Sequence, residues 1–244
     1  EVEVGVVADP DALPVEAPAS KTALDAFLIA KYELTRAQWL LMANESPNRF
    51  TAANGPPDMM TGRSPVEQVA WRDAQLTLER YGLVLPTEVQ WEYAARGGRA
   101  SRWWTGDDKE SLARGGAAEN LADATATATG VPASEAGEWP DYDDGFPLHG
   151  PVGSLLPNPY GLFDVLGNVK ELCADVWLEN CKRRSPRPGD GLRDVDRTGS
   201  RACRGGSWFN GINQARVTAR RSIGEFQVFD NVGIRAAAVI PKGR

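Results

Sequence analysis

Strong helix signals stop near residue 98, and that boundary limits the possible folds more than any other feature of the chain. Thr35-Arg-Ala-Gln38 and Thr87-Glu-Val-Gln90 are both capping boxes. In each, a Thr hydroxyl and a Gln amide satisfy N–H groups that the first helical turn leaves free. They predict one helix to about Asn44 and another to Arg96, the second closed by Gly97-Gly98. A third helix is expected from about Trp71 to Tyr81, ending at Gly82. Trp39, Trp71, Trp91 and Tyr93 fall on these helices and are expected to pack inward. Further on, Gly, Pro and Asx residues with short apolar bursts dominate, and 122–137 (ADATATATGVPASEAG) is the most loop-like stretch. Two or three helices against a loop-rich region of short antiparallel strands make an α+β domain.

The start of the chain alternates Val and then loses its period among Pro and Ala, which reads as a short edge strand or a mobile lead-in. A strand is expected within Ala26–Leu34. The organisation expected is therefore a lead-in over 1–25 and a single domain over 26–244. Glu1 is no initiator and no signal-peptide pattern follows it, so the chain reads as a processed product or a piece of a larger, bacterial protein.

Charge and residue counts exclude several classes of function. A formal charge of −6 argues against a nucleic-acid partner. No apolar run approaches the roughly 20 residues that cross a bilayer, so membrane insertion is not expected. RGG recurs at Arg96, Arg114 and Arg204 at unequal spacing, which makes no RNA-binding tract. Cys173, Cys181 and Cys203 are too few for a disulfide scaffold. A Cys173–Cys181 bridge is one option; three reduced thiols in a cytoplasmic protein is the reading favoured by compartment rules. The one histidine, His149, excludes a three-His iron site and a two-His zinc site.

Several phrases occur in series: Lys31-Tyr-Glu-Leu-Thr-Arg-Ala-Gln-Trp39, Ser64-Pro-Val-Glu-Gln-Val-Ala-Trp71 and Leu85-Pro-Thr-Glu-Val-Gln-Trp-Glu-Tyr-Ala-Ala-Arg-Gly97. Then follow Pro157-Asn-Pro-Tyr-Gly-Leu-Phe-Asp-Val-Leu-Gly-Asn-Val-Lys-Glu171, Arg204-Gly-Gly-Ser-Trp208 and Asn231-Val-Gly-Ile-Arg235. Together the chain resembles the formylglycine-generating-enzyme-like (sulfatase-modifying-factor) family, whose fold is a loop-rich variant of the C-type lectin fold. The resemblance implies two Ca²⁺ sites. One would use side-chain oxygens of Asn120 and Asp144 with carbonyls of Leu121 and Phe146. The other would use Asp164 with carbonyls of Val165, Gly167 and Val169. Such hard oxygen donors suit Ca²⁺, whereas the Asp141-Tyr-Asp-Asp-Gly145 stretch by itself suggests only an Asx turn. Lys170 stands where many relatives carry Trp, a change in a packing residue.

In the enzymes of that family, two cysteines just after Arg-Gly-Gly-Ser-aromatic form a copper and thiol centre. Here the window reads Trp208-Phe-Asn-Gly-Ile-Asn-Gln-Ala-Arg216, without cysteine. Asn210 falls where the first cysteine would be, and the second position lies in a shortened segment. Cys203 precedes the glycine pair, on the strand entering it, and is expected to be buried. Neither copper nor iron is expected.

The favoured reading is a non-catalytic module that binds a protein or other macromolecule, as the variable proteins of diversity-generating retroelements do within this family. Its face would comprise Trp208, Phe209, Asn210, Ile212, Asn213, Arg216, Arg220, Phe226 and Phe229, aromatics and arginines of the kind that anchor interfaces. Phe209 and Asn210 are expected to be exposed, whereas Phe226-Gln-Val-Phe229 is open between an exposed edge and an inner strand. Two alternatives are an enzyme using Glu225, Asp230, Arg216 and Arg220 around Trp208, and a regulatory domain joined to a kinase or protease.

Overall fold

A computed structural model describes residues 1–5, 9, 11–16, 18–131, 139, 141–179, 184–193 and 199–241. Each capping box forms as expected. Helix α1 (Arg36–Ala43) and helix α3 (Glu88–Arg96) begin on Thr35 and Thr87, each accepting from the backbone N–H three residues on. Helix α2 spans Trp71–Arg80 without a side-chain cap. Residues 122–137 are not all loop. The Asp123 carboxylate accepts from Ala126 N–H and starts a short helix α4 (Ala124–Thr129), which ends at left-handed Gly130. The alternating Ala-Thr pattern gave that turn no apolar stripe by which to recognise it; residues 132–138 lie outside the described part.

A four-stranded sheet has the order β6 (Arg220–Ile223), β5 (Arg201–Arg204), β4 (Lys170–Val176), β7 (Val232–Gly233). Its pairs are antiparallel except β4–β7, which is parallel. Successive residues of β4 point to opposite faces. Leu172 therefore enters a core with Trp39, Leu78 and Ile234, while Cys173 enters another with Trp91, Leu112 and Leu166. Strand β3 (Phe27–Ile29) pairs antiparallel with β8 (Ala237–Val239), joining the beginning of the chain to its end.

Trp39, Trp71 and Trp91 are buried, but Tyr93 is 37% exposed. Two residues along a helix turn by about 200°, so once Trp91 faces the core Tyr93 faces out, where it meets Phe27 edge-on and Tyr160 at a tilt. The first residues form a hairpin, β1 (Val2–Val4) with β2 (Ser20–Thr22). Gly5 N–H donates to Glu92 on α3 at 2.7 Å, so this segment is fastened to the domain. Among the described residues no helix is long and apolar enough to cross a membrane.

Candidate functional site

Strand β5 ends in Arg204-Gly205-Gly206, and the glycines are there for space. A Cβ on Gly205 would lie 2.9 Å from the Val165 carbonyl oxygen, and one on Gly206 2.5 Å from that of Leu166. This close approach lays the following turn on the 164–169 loop, where Trp208 N–H donates to Asn168 O at 2.9 Å. The Trp208 ring is buried, edge-on to Phe50 and Phe209, and its indole N–H donates to Asp230 O.

Asn210 is only 4% exposed, contrary to expectation. Its Oδ1 accepts from Ser207 Oγ at 2.6 Å and from Lys170 Nζ, and its Nδ2 donates to Gln214. Lys170 is more than a packing residue: its ammonium also reaches Ser207 Oγ at 3.3 Å. An ammonium, an amide and a hydroxyl thus meet around Asn210, the residue that the resemblance sets where the first enzyme cysteine would fall. Phe209 is half-buried rather than exposed.

Other members of the expected face turn inward. Ile212 is buried, and Asn213 is exposed but gives its carbonyl to Arg216 Nε. Arg216 forks onto Glu16 at 2.5 and 2.8 Å. Arg220 forks onto Glu88 at 2.6 Å for both contacts and lies over the Trp177 ring. Burial pushes the Glu88 carboxyl up, but Arg220, with Arg204 and Arg193, outweighs it and holds the group at about 2. The arginines are therefore internal counter-ions and not part of the outer face.

The segment that does face outward is 226–229. Phe226 is 73% exposed, Phe229 44% and Val228 43%. These residues form neither helix nor strand. Gln68 N–H donates to Phe229 O and Arg72 N–H to Glu225 O, tying the loop to the first turn of α2 and the chain just before it. The four residues considered for catalysis are dispersed: Glu225 lies 3.7 Å from Arg72 and from Arg201, and Asp230 pairs with Arg49 at 2.7 Å. Cys173 and Cys203 are buried free thiols, and burial pushes Cys203 up to about 11. Cys181 lies outside the described residues, and with it the bridge considered for Cys173.

At the first candidate calcium site, Asp144 accepts N–H groups of Leu121 and Phe146 at 2.7 and 2.9 Å. Asn120 Oδ1 is buried without a hydrogen-bond partner, while its Nδ2 donates to Leu148 O. Burial and the nearby Asp123 raise the Asp144 carboxyl well above its usual range. An orphaned amide oxygen near a buried carboxylate fits a hard cation. At the second site Asp164 accepts from Gly153 N–H at 2.7 Å, and burial pushes it up to about 6. Glu33 is raised by burial, by Asp164 and by Glu171, and the counter-charge there is Arg235, already forked onto Glu171. This local excess of buried carboxylate also fits a cation. Among the described residues no three His, Cys, Asp or Glu side chains converge, so either site would depend on backbone carbonyls.

Helices around a short-stranded, loop-dominated sheet place the molecule in the C-type lectin-type class. Treponema denticola variable protein 1 has this fold, with a TM-score of 0.73 at 21% identity, over 97% of this chain and 91% of that one. The family model for the sulfatase-modifying factor enzyme 1-like domain matches residues 1–240, and the chain belongs to that family. It is 34% identical over 197 residues to a formylglycine-generating enzyme of Thermomonospora curvata, covering 78% of this chain and 61% of the relative. It is 32% identical over 183 residues to an inactive Cα-formylglycine-generating enzyme 2 of Bos taurus, covering 71% of this chain and 50% of the relative. The chain thus spans between half and two thirds of the length of these relatives.

Proposed function

We propose that this domain is a binding module that presents the 226–229 loop to a protein partner and carries out no thiol chemistry. The observation behind this reading is the exposure of Phe226, Val228 and Phe229 together on one short loop. Neighbouring exposed aromatics are costly to leave in water and are what interface cores use. Around them, Arg49 and Asp230 supply a charged rim. The buried Lys170–Asn210–Ser207 cluster supports the negative half. It offers no thiolate where the enzymes of the family place one. The enzyme alternative has against it that Glu225, Asp230, Arg216 and Arg220 each face a different partner.

Ca²⁺ would belong to this module as a structural ion, held by Asn120 and Asp144 at one site and Asp164 at the other. Bound there, it would neutralise buried carboxylates and fix loops that have little regular structure of their own. Its role is rigidity of the face, not chemistry.

Two measurements test the reading. A photo-crosslinking residue in place of Phe226, in the source cell, is expected to trap one defined protein, while the same residue at exposed Leu41 on α1 traps none. Equal yields from both positions would remove the case for the loop. Incubation with copper, oxygen and a cysteine-containing sulfatase peptide is expected to give no aldehyde by mass spectrometry. Formation of formylglycine would refute the non-catalytic half.

A further inference from the structure

A groove lies beneath α2, apart from the exposed side chains of the 226–229 loop. It has a volume of about 580 Å³ and runs between α2 and strands β4 and β5. Among the described residues its walls carry Arg72, Arg187, Arg193 and Arg201 alongside Glu79 and Glu225. Its floor is apolar, with Trp71, Leu85 and Val176.

The arginines are held in place but not all saturated. Arg193 is 6% exposed, its Nε–H has no acceptor, and its Nη1 comes no closer than 3.5 Å to Glu88. Glu88 is already forked by Arg220, so Arg193 shares a spent counter-ion. Arg201 stacks on the Trp71 ring with its Cζ 3.6 Å from the centroid, which fixes the plane of its guanidinium. Arg72 meets Glu225 at 3.7 Å, beyond hydrogen-bonding range. By contrast Arg187, at the groove's edge, is closely paired with Asp190.

We infer that this groove binds an organic carboxylate carrying an apolar body, the carboxylate forking onto Arg193 and the body lying on Trp71, Leu85 and Val176. A carboxylate and a phosphate can both fork onto a guanidinium edge, so charge decides in favour of the carboxylate. The chain's own Glu225 already sits between Arg72 and Arg201, so the pair tolerates one negative charge nearby, whereas a doubly charged group would be repelled by Glu225 and Glu79 together. The volume suits a small ligand, and the mixed lining is that of a ligand pocket.

The test titrates the protein with 4-phenylbutyrate, its neutral amide and inorganic phosphate, following the Trp71 indole N–H resonance, assigned with Trp71→Phe. The acid is expected to shift that resonance saturably, while the amide and phosphate leave it in place. Arg193→Met is expected to weaken binding by about tenfold or more, with Arg193→Lys only partly restoring it, because a point charge cannot fork. Arg72→Met, at a rim position where folding is not at stake, is expected to weaken binding severalfold. Equal binding of acid and amide would reduce the groove to an apolar cleft, and equal binding of phosphate would reduce it to a charged patch. Unchanged affinity in Arg72→Met and in whichever Arg193 variant folds would also overturn the assignment.

Discussion

The stretch from Arg204 to Arg220 and the stretch from Gly224 to Asp230 lie close in sequence and both mix aromatics with charged residues, yet the structure treats them in opposite ways. In the first, Arg204, Arg216 and Arg220 are buried against Glu92, Glu16 and Glu88. In the second, two phenylalanines and a valine stand in solvent. Arginines are inside in the first stretch and large apolar side chains outside in the second. A buried guanidinium is acceptable only when a carboxylate and carbonyls complete its hydrogen bonds. The earlier half of the chain supplies such groups to residues 204–220. It supplies no comparable cover for Phe226. Composition alone therefore does not distinguish a scaffold from a surface; the location of the partners does.

The sharpest way to break this comparison is to remove one buried partner. Arg216→Met leaves Glu16 buried without its fork and is expected to cost about 3–5 kcal/mol in urea unfolding. A loss under about 1 kcal/mol would show that the arginine is a dispensable surface group. Acid offers a second approach. Glu88 is held at about 2, below the ordinary 4.5, so its contribution is complete above pH 4.5 and is lost as pH falls towards 2. The corresponding loss is about 3 kcal/mol, and Glu88→Gln is expected to flatten that limb of the stability profile. An unchanged slope would mean that Glu88 titrates normally. Chelation comes next: at free Ca²⁺ near 100 times its Kd, adding EGTA is expected to remove about 2.7 kcal/mol. An unaltered melting temperature would count against both ion sites. The smallest effect is expected in the outer loop, where Phe226→Ala with Phe229→Ala should change stability by no more than about 0.5 kcal/mol. A larger drop would make those rings part of a core.

What the sequence revealed follows how local each cause is. Thr35 and Thr87 announce their helices because donor and acceptor lie three residues apart. The family phrases disclose the fold because they record packing against one another in a known order. Asn210 was misread because its partner Lys170 lies 40 positions away, and a lysine in a strand seldom signals a buried ammonium. Arg216 and Arg220 were read as surface anchors for the same reason: their carboxylates lie 200 and 132 positions upstream. Phe226 and Phe229 could not be resolved, since an irregular loop has no period from which to infer its buried side. Arg193, which lines the groove under α2, escaped notice because a single arginine in a polar loop carries no local mark.

The Glu16–Arg216 fork has a consequence for the order in which the molecule assembles. Its partners are 200 positions apart, and the β3–β8 pair spans a similar interval. During synthesis the helices α1 and α3 can form early from their own caps, but Glu16 and Glu88 lack their arginine forks until residues 216–220 have emerged. Closure is then a late event dominated by remote contacts, a topology that folds slowly, over milliseconds to seconds. The segment around Arg216 and Arg220 acts as a keystone: it arrives after the helices, and its ion pairs with Glu16 and Glu88 lock only on its arrival.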